Sequence, residues 1–425
     1  MGVATTYNPG SNAASRGSPA RGVPESVAAF PMSRFNALLL LFVTSVVSPA
    51  FSADAKPGTT TTSQVAPRDD DIDPATGLAR SSVVRPLLGA PPLPEPRRSP
   101  GPARPHIALI LPTTSPTLGR LADAVRQGFT AAAEAGGKDA TPVNVTAIEN
   151  EGPALLDACR ASQAAGALLV VAAMTRDAAS LLVKSDCPRQ PVLALNDPQA
   201  DANEMPANLY SVSLSLDNEA KQVALLAVAE GWRTAIVITS GTPLAKRVQE
   251  AFEREWSRAA GQVAGRLTFA GTAEDAPLVR ERMANVRADM VFMALDPPEA
   301  RNVRPYISGM LPLYGTSMSI NPRAEAIVNL DLQGMRYVEM PWFVQPDHPA
   351  VMVYPVPRGM SVEEERLYAF GIDAYRIAQQ LLHGDKRAPL DGVTGRLTLE
   401  LPTRYVRALT PAEVDGGRVI PLRAP

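Results

Sequence analysis

Short apolar runs alternate with amphipathic stretches from residue 106 onward, and this alternation limits the fold more than any other feature of the sequence. The runs are rich in Val, Ile and Leu, and helical patterns separate them. Such an order is typical of parallel sheets that helices cover on both faces. The alternation occurs in two series, joined by a long helix predicted over 216–230. We therefore expect an α/β fold with two lobes, each built on a parallel sheet.

The individual elements follow from the periodicity of the apolar residues. The predicted strands are 106–111, 143–148, 167–172, 192–195 and 209–213 in the first series, 234–239, 263–269, 289–294 and 312–315 in the second, and 396–399 and 404–408 near the C-terminus. The other predicted helices are 118–135, 153–165, 176–184, 243–260, 276–287, 299–308 and 363–383. Gly384 directly after the last helix is a typical helix stop.

These elements define the expected domain organisation. We expect one two-lobed domain over 105–425. Lobe one would contain about 104–214 plus 345–385, and lobe two the intervening 215–344. The helix over 363–383 carries an apolar stripe on one face, so it should pack on the sheet of lobe one.

The segment MSRFNALLLLFVTSVVSPAFSADA, which begins at Met32, has the three parts of a secretory signal peptide. Arg34 supplies a positive charge, an apolar run follows over 37–47, and small residues close the segment. That run is too short to span a bilayer comfortably. We expect a signal peptide over 32–53 and export of the chain to the periplasm, with a buried helix or a membrane anchor as the alternative.

Two further segments flank the predicted signal peptide. Residues 1–31 would be an upstream extension, so the true start is either Met1 or Met32. Residues 54–104 are rich in proline and contain no Phe, Trp or Tyr. Such a segment cannot bury enough apolar surface to offset the entropy of ordering it. We expect a disordered, extended tether there.

Charge and motif content argue against several function classes. The net charge is -2 and no basic stripe occurs, which argues against nucleic-acid binding. The loop after the first strand has neither G-x-G-x-x-G nor G-K-[ST], so we expect no nucleotide cofactor. The three histidines, His106, His348 and His383, stand in separate contexts, and the sequence has no metal-ligand or catalytic motif. We therefore expect no catalytic residues, no metal, no cofactor and no enzymatic activity.

Polar residues follow several of the predicted strands, where ligands bind in open α/β sheets. The candidates are Thr113, Ser115, Thr175, Asn196, Asp197, Ser240, Thr242, Asp296 and Thr316. Their hydroxyls, amides and carboxylates would suit a small polar ligand in a cleft between two lobes. The same residue types also cap helices, so each candidate is either a helix cap or a ligand contact.

The segment GMRYVEMPWFVQPDHPAVMVYPVP, over 334–357, is rich in aromatic residues and proline. One interpretation is a crossover between lobes with its aromatic side chains packed underneath. The other is an exposed surface for a partner protein, in which Trp342, Phe343 and Tyr354 are the candidate anchors. The two interpretations are compatible.

The chain has two cysteines, Cys159 and Cys187. Cys159 is expected late in a helix, and Cys187 just before a strand. In an exported protein they would meet an oxidising compartment, so they form either one disulfide or two separate buried thiols.

Several stretches together resemble a known family. These are HIALILPTTSPTLGRLADAVRQGFTAA, NLYSVSLSLDNEAKQVA, MPWFVQPDHPAVMVYP, LYAFGIDAYRIAQQLL and LDGVTGRLTLE. They resemble, in the same order from about His106 to Leu422, the C-terminal domain of LpoA-type penicillin-binding-protein activators, also called LppC-like lipoproteins. The pieces around 340–355 and 368–399 are the most specific.

The resemblance implies a type I periplasmic-binding-protein-like fold with two Rossmann-like lobes. It also implies a non-catalytic regulator in the periplasm that binds and activates a class A penicillin-binding protein during peptidoglycan synthesis. Two features depart from the family. No lipobox cysteine follows the predicted cleavage site, so an outer-membrane lipid anchor is not supported, and the proline-rich tether stands where long members carry helical repeats.

Two other functions stay open at the level of the sequence. The first is a solute-binding protein whose cleft closes on an amino acid or another small polar ligand. The second is an enzyme that acts on cell-wall fragments. A ligand-dependent rise in melting temperature would favour the first, and turnover by the pure protein would favour the second.

Overall fold

The computed structural model describes residues 104–272, 274–400 and 403–422. The predicted extension over 1–31, the signal peptide over 32–53 and the tether up to residue 103 lie outside the described residues. Among the described residues, no helix is both long enough and apolar enough to cross a membrane.

Strands and helices alternate through most of the described chain. The strands are β1 (His106–Leu111), β2 (Val143–Ala147), β3 (Ala167–Ala172), β4 (Val192–Ala194), β5 (Leu209–Ser211), β6 (Thr234–Thr239), β7 (Gln262–Thr268), β8 (Met290–Ala294), β9 (Leu313–Tyr314), β10 (Met335–Glu339), β11 (Leu390–Asp391), β12 (Arg396–Glu400), β13 (Arg404–Ala408), β14 (Thr410–Asp415) and β15 (Arg418–Pro421). The helices are α1 (Gly119–Ala135), α2 (Pro153–Ala164), α3 (Arg176–Val183), α4 (Leu216–Ala229), α5 (Pro243–Arg258), α6 (Ala276–Met283), α7 (Pro297–Val303), α8 (Ala326–Asn329), α9 (Pro341–Val344), α10 (Pro349–Met352) and α11 (Val362–His383). Single 3-10 turns lie at Gly137–Asp139, Cys187–Arg189, Ala202–Glu204, Arg304–Tyr306, Ser317–Ser319 and Leu330–Leu332.

The strands form two sheets, which confirms the predicted α/β fold with two lobes. The first sheet has the order β2-β1-β3-β4-β5-β13-β12-β11, and its strands are parallel from β2 to β13. The second has the order β7-β6-β8-β9-β10-β14-β15 and is parallel from β7 to β10. Antiparallel strands extend one edge of each sheet, so both sheets are mixed. We call each sheet with its packed helices a lobe.

The chain passes between the two sheets after β5, after β10 and between β13 and β14. The C-terminal strands are therefore shared. β12 and β13 belong to the first sheet, whereas β14 and β15 close the second. The hairpin of β14 and β15 was not predicted, because its charged residues and Pro411 interrupt the apolar pattern.

Helix α11 packs on α1 of the first lobe through an unusually close crossing. A Cβ atom on Gly128 would lie 1.8 Å from the carbonyl oxygen of Tyr368, and one on Gly371 would lie 2.2 Å from that of Val125. Only glycine permits this approach. A capping box of Ser361 and Glu364 starts α11, and Gly384 ends it in the left-handed conformation, as predicted.

Two elements differ from their predicted form. The helix predicted over 299–308 is α7, which ends at Val303 and tightens into a 3-10 turn that contains Pro305. The segment over 334–357 is not only a crossover, because its first residues form the inner strand β10. The charged residues Arg336 and Glu339 interrupt the apolar pattern of this strand, so it was not predicted.

Candidate functional site: the cleft between the lobes

The candidate site is the region where the loops after the parallel strands of both sheets approach each other. Helix α3 begins at the carboxyl end of β3 in the first lobe, and α5 begins at the carboxyl end of β6 in the second. Arg176 in the first turn of α3 and Arg247 in the second turn of α5 both contact the carboxylate of Asp217, so the N-terminal parts of these two helices lie close together.

Three of the predicted cleft residues cap helices. The Thr175 hydroxyl accepts the N–H of Ala178 at 3.2 Å, and the Thr242 hydroxyl accepts the N–H of Ala245 at 3.2 Å. Asp296 accepts the N–H of Glu299 at 2.8 Å and completes a capping box with that residue. These side chains satisfy N–H groups that a helix start leaves without partners.

Four more candidates are engaged locally. Ser115 accepts the N–H of Leu118 at 3.3 Å. The carbonyl oxygen of Thr113 lies against the start of α1, where a Cβ atom on Gly119 would be 2.9 Å away. Ser240 lies 3.3 Å from the Thr242 hydroxyl, and Thr316 is buried and accepts the N–H of Met318 at 3.4 Å.

Asn196 and Asp197 form the polar centre of the first lobe's loops. The Asn196 amide donates to the carbonyl oxygen of Met174 at 2.8 Å. The Asp197 carboxylate accepts the hydroxyls of Ser211 at 2.9 Å and Ser213 at 2.7 Å, and Arg404 lies 3.2 Å from it. Asn196 therefore joins the loops after β3 and β4, and Asp197 joins the loops after β4 and β5.

Two neighbouring cavities lie at this junction. The smaller has a volume of about 130 Å³ and includes Asn196, Arg176 and Arg247 in its lining, with Phe370 of α11 on one side. The larger has a volume of about 380 Å³ and is lined by charged and polar residues, including Asp197. The other seven cleft candidates line neither cavity. Known small-molecule pockets are typically about 300–1,000 Å³, so only the larger of these two cavities reaches that size.

Sequence reasoning missed a set of buried charges between the lobes. Glu219 of α4 accepts the N–H of Ser317 at 3.0 Å, and burial raises the pKa of its carboxyl. Arg407 of β13 donates to the carbonyl oxygens of Ser213 at 2.9 Å and Thr394 at 3.1 Å, and burial lowers the pKa of its guanidinium. No sequence signal distinguishes these residues from ordinary surface charges.

The structure corrects the predicted partner surface. Trp342 is only 2% exposed, and its indole N–H donates to Glu365 at 2.7 Å. The ring of Phe343 is buried, and the guanidinium groups of Arg323 and Arg366 lie 4.9 and 4.8 Å from its centre. Neither aromatic side chain is available to a partner. Tyr354 is half-buried and stays a candidate.

The two cysteines meet in the first lobe. Cys159 of α2 and Cys187 of the 3-10 turn after α3 form a disulfide with Cα atoms 6.0 Å apart. Both side chains are buried next to β1 and β3. The bridge therefore fastens α2 to the segment that leads into β4.

Comparison with solved structures places these two lobes in a known class. A structure described as "a putative branched-chain amino acid ABC transporter from Chromobacterium violaceum" is 34% identical, with a TM-score of 0.62 over 73% of this chain and 100% of that one. The C-domain of LpoA from Haemophilus influenzae, described as a regulator of PBP1A, is 23% identical, with a TM-score of 0.62 over 75% of this chain and 100% of that one. The chain is a two-lobed protein with a periplasmic-binding-protein-like fold.

The family is narrower than that class. The family described as "LppC putative lipoprotein" matches residues 103–275 and 278–417, and the chain belongs to it. Among curated relatives, the penicillin-binding protein activator LpoA of Edwardsiella piscicida is 24% identical over 64% of this chain and 44% of that protein. The one from Photobacterium profundum is 23% identical over 69% of this chain and 53% of that protein. The chain thus spans about half the length of these relatives.

Proposed function

We propose that the protein is a non-catalytic regulator of the cell envelope that binds and activates a class A penicillin-binding protein. The observation that carries the proposal is the family match, which spans almost the whole described domain. The curated relatives that match it are named for this activity. A regulator in the periplasm, where such synthases work, also agrees with the export signal expected at the N-terminus and with the disulfide.

The exposed part of the segment over 334–357 is the contact surface that we favour. Met352 and Val356 are 68% and 59% exposed, and Val353 between them is also exposed. Charged residues of both signs, including Arg120, Arg358 and Glu364, line a neighbouring cavity of about 230 Å³, and Arg120 is paired with Glu364 at 2.9 Å. An apolar patch with a charged rim is the usual composition of a protein–protein contact. The occupant would be a segment of the synthase with apolar side chains.

The test is a label-free kinetic binding assay of the purified protein against each class A penicillin-binding protein of the same cell. We expect a saturable complex with one of them, in the range of about 1 μM that is typical of transient regulatory contacts. Absence of a complex with every such synthase, for protein shown to be folded, would contradict the proposed function.

A pair of matched variants locates the surface separately. Met352→Glu should weaken the complex at least about tenfold, because it places a charge in an apolar contact. Ile327→Glu changes an equally exposed apolar residue on α8 of the second lobe and should leave affinity unchanged. If Ile327→Glu alone weakens binding, the activator function stands and the surface has been misplaced.

Solute binding is the second candidate, and the name of the Chromobacterium violaceum structure is the observation that favours it. The geometry weighs against it, because the polar side chains after β3, β4 and β6 are engaged within the protein. An amino acid that raised the melting temperature in a concentration-dependent way would support this candidate.

A further inference from the structure

One carboxylate lies between two arginines from opposite sides of the cleft. The Asp217 carboxylate is 3.2 Å from a terminal nitrogen of Arg176 and 2.8 Å from Nε of Arg247. A different oxygen of Asp217 accepts each contact. The side chain of Asp217 is 20% exposed, and those of Arg176 and Arg247 are 30% and 40% exposed, so solvent screens these ion pairs only in part.

The three residues belong to different parts of the fold. Arg176 opens α3, which follows β3 of the first sheet. Arg247 lies in α5, which follows β6 of the second sheet. Asp217 lies in the first turn of α4, which packs on α5 and on β10 of the second lobe. The pair of Asp217 and Arg176 therefore joins the lobes, whereas the pair of Asp217 and Arg247 lies within the second.

The loop around Arg176 is also satisfied from within. The Glu151 carboxylate accepts the backbone N–H groups of Met174 at 2.7 Å and Thr175 at 2.9 Å, and the carbonyl oxygen of Met174 accepts from Asn196. Met174 and Asn196 belong to the loops of the first lobe that line the smaller cavity. Internal side chains thus satisfy the polar backbone groups of this loop.

Helix α4 makes further contacts with the end of β13, the strand that belongs to the first sheet. The amides of Asn218 and Gln222 donate to the carbonyl oxygen of Arg407 at 3.0 and 2.9 Å. The Gln222 side chain also accepts the N–H of Leu409 at 2.9 Å. These contacts hold the first turns of α4, and with them the backbone of Asp217, against the end of β13.

We infer that Asp217 is an intramolecular latch that holds the two lobes together. Its carboxylate lies between two guanidinium groups, in the position that the carboxylate of a ligand would occupy. The closed arrangement of the lobes then needs no ligand. Removal of the Asp217 charge leaves Arg176 and Arg247 facing each other as like charges, and this repulsion favours separation of the lobes. The inference does not depend on the proposed function.

The test measures the distance between the lobes in solution by pulsed electron paramagnetic resonance. Spin labels go on Glu134→Cys of α1 and Ser257→Cys of α5, two exposed positions in different lobes. The native cysteines are held in the disulfide and do not react with the label. In the otherwise unchanged protein, without added ligand, we expect one narrow distance distribution.

Asp217→Asn should add a second, longer distance population, while Asp177→Asn, which removes an exposed charge from the first turn of α3, should not. Arg176→Gln breaks the contact between the lobes without adding a repulsion between like charges, so it should add a smaller population at the longer distance. It serves as the test if Asp217→Asn does not fold. An unchanged distribution in folded Asp217→Asn or Arg176→Gln would overturn the latch. So would a broad distribution in the protein with Asp217 intact.

Discussion

The guanidinium group of Arg366 donates two hydrogen bonds to the carboxylate of Glu339, at 2.6 and 2.7 Å. Glu339 ends β10 of the second lobe and is fully buried, while Arg366 belongs to α11, which packs on the first lobe. Burial would lower the pKa of Arg366, but the attraction of Glu339 outweighs it and raises that pKa above the ordinary value. The pair fastens α11 to the second lobe.

Removal of one partner of this pair should destabilise the protein strongly. Arg366→Met leaves the Glu339 carboxylate buried without its cation, which typically costs about 3–5 kcal/mol. The free energy of unfolding in urea measures the effect. The double variant Glu339→Gln with Arg366→Met should be markedly more stable than Arg366→Met alone. If the effects of the two changes simply add, the pair is not coupled as the structure indicates.

The close crossing of α1 and α11 should not tolerate a methyl group. Gly371→Ala forces a Cβ atom against the carbonyl oxygen of Val125, and overpacking of this kind typically costs about 1–3 kcal/mol or more. Gly309→Ala is the matched control, because nothing lies within 4 Å of its Cβ position. Thermal unfolding should show a large loss for the first variant and almost none for the second. Equal melting temperatures would mean that the helices do not cross as described.

The disulfide should contribute to stability in the folded first lobe. It closes a loop between residues 28 positions apart, and bridges of this kind typically contribute about 2–4 kcal/mol. The double variant Cys159→Ala with Cys187→Ala should therefore melt at a lower temperature than the parent. Dithiothreitol should lower the melting temperature of the parent but not that of the variant. A parent that is insensitive to reduction would show that the bond does not form in solution.

Asp289 should make stability depend on pH in the acid range. Its carboxylate accepts the backbone N–H groups of Arg233 at 2.9 Å and Thr234 at 2.8 Å, and these bonds lower its pKa below the ordinary 3.8. The stabilisation is therefore present above pH 3.8 and is lost as the pH falls through the lower folded-state pKa.

Asp289→Ala should cost about 1 kcal/mol at pH 7, a modest value because the carboxylate is exposed to solvent. The difference between the parent and this variant should shrink below about pH 4. Unfolding in urea at several pH values measures it. A difference that stays constant down to pH 2 would show that the carboxylate does not hold the start of β6.

Continuous apolar runs were read correctly from the sequence. The bounds of β1, β3 and β6 agree with the predicted ones, because the inner strands of a sheet covered on both faces need apolar side chains at nearly every position. The strand β13 was also predicted with the observed bounds. The strand β10 was missed, because its charged residues are satisfied by partners distant in the sequence.

The candidate site was less predictable, because its side chains too have partners that lie far away in the sequence. Threonine and aspartate after a strand suit a helix cap as well as a ligand contact, and Thr175, Thr242 and Asp296 prove to be caps. From the sequence, Asp217 is indistinguishable from an ordinary acidic residue in a first helical turn. Its partners Arg176 and Arg247 are 41 and 30 residues away, so no local pattern predicts the contacts. Composition likewise could not decide whether Trp342 faces the core or the solvent.

The most direct test of the proposed activation uses a purified class A penicillin-binding protein. Its rate of peptidoglycan cross-linking is measured with increasing amounts of this protein. We predict that the rate rises and saturates, and that Met352→Glu shifts the half-maximal concentration upward while Ile327→Glu does not. A rate that stays constant at saturating concentrations of folded protein, for every class A synthase of the cell, would contradict the claim.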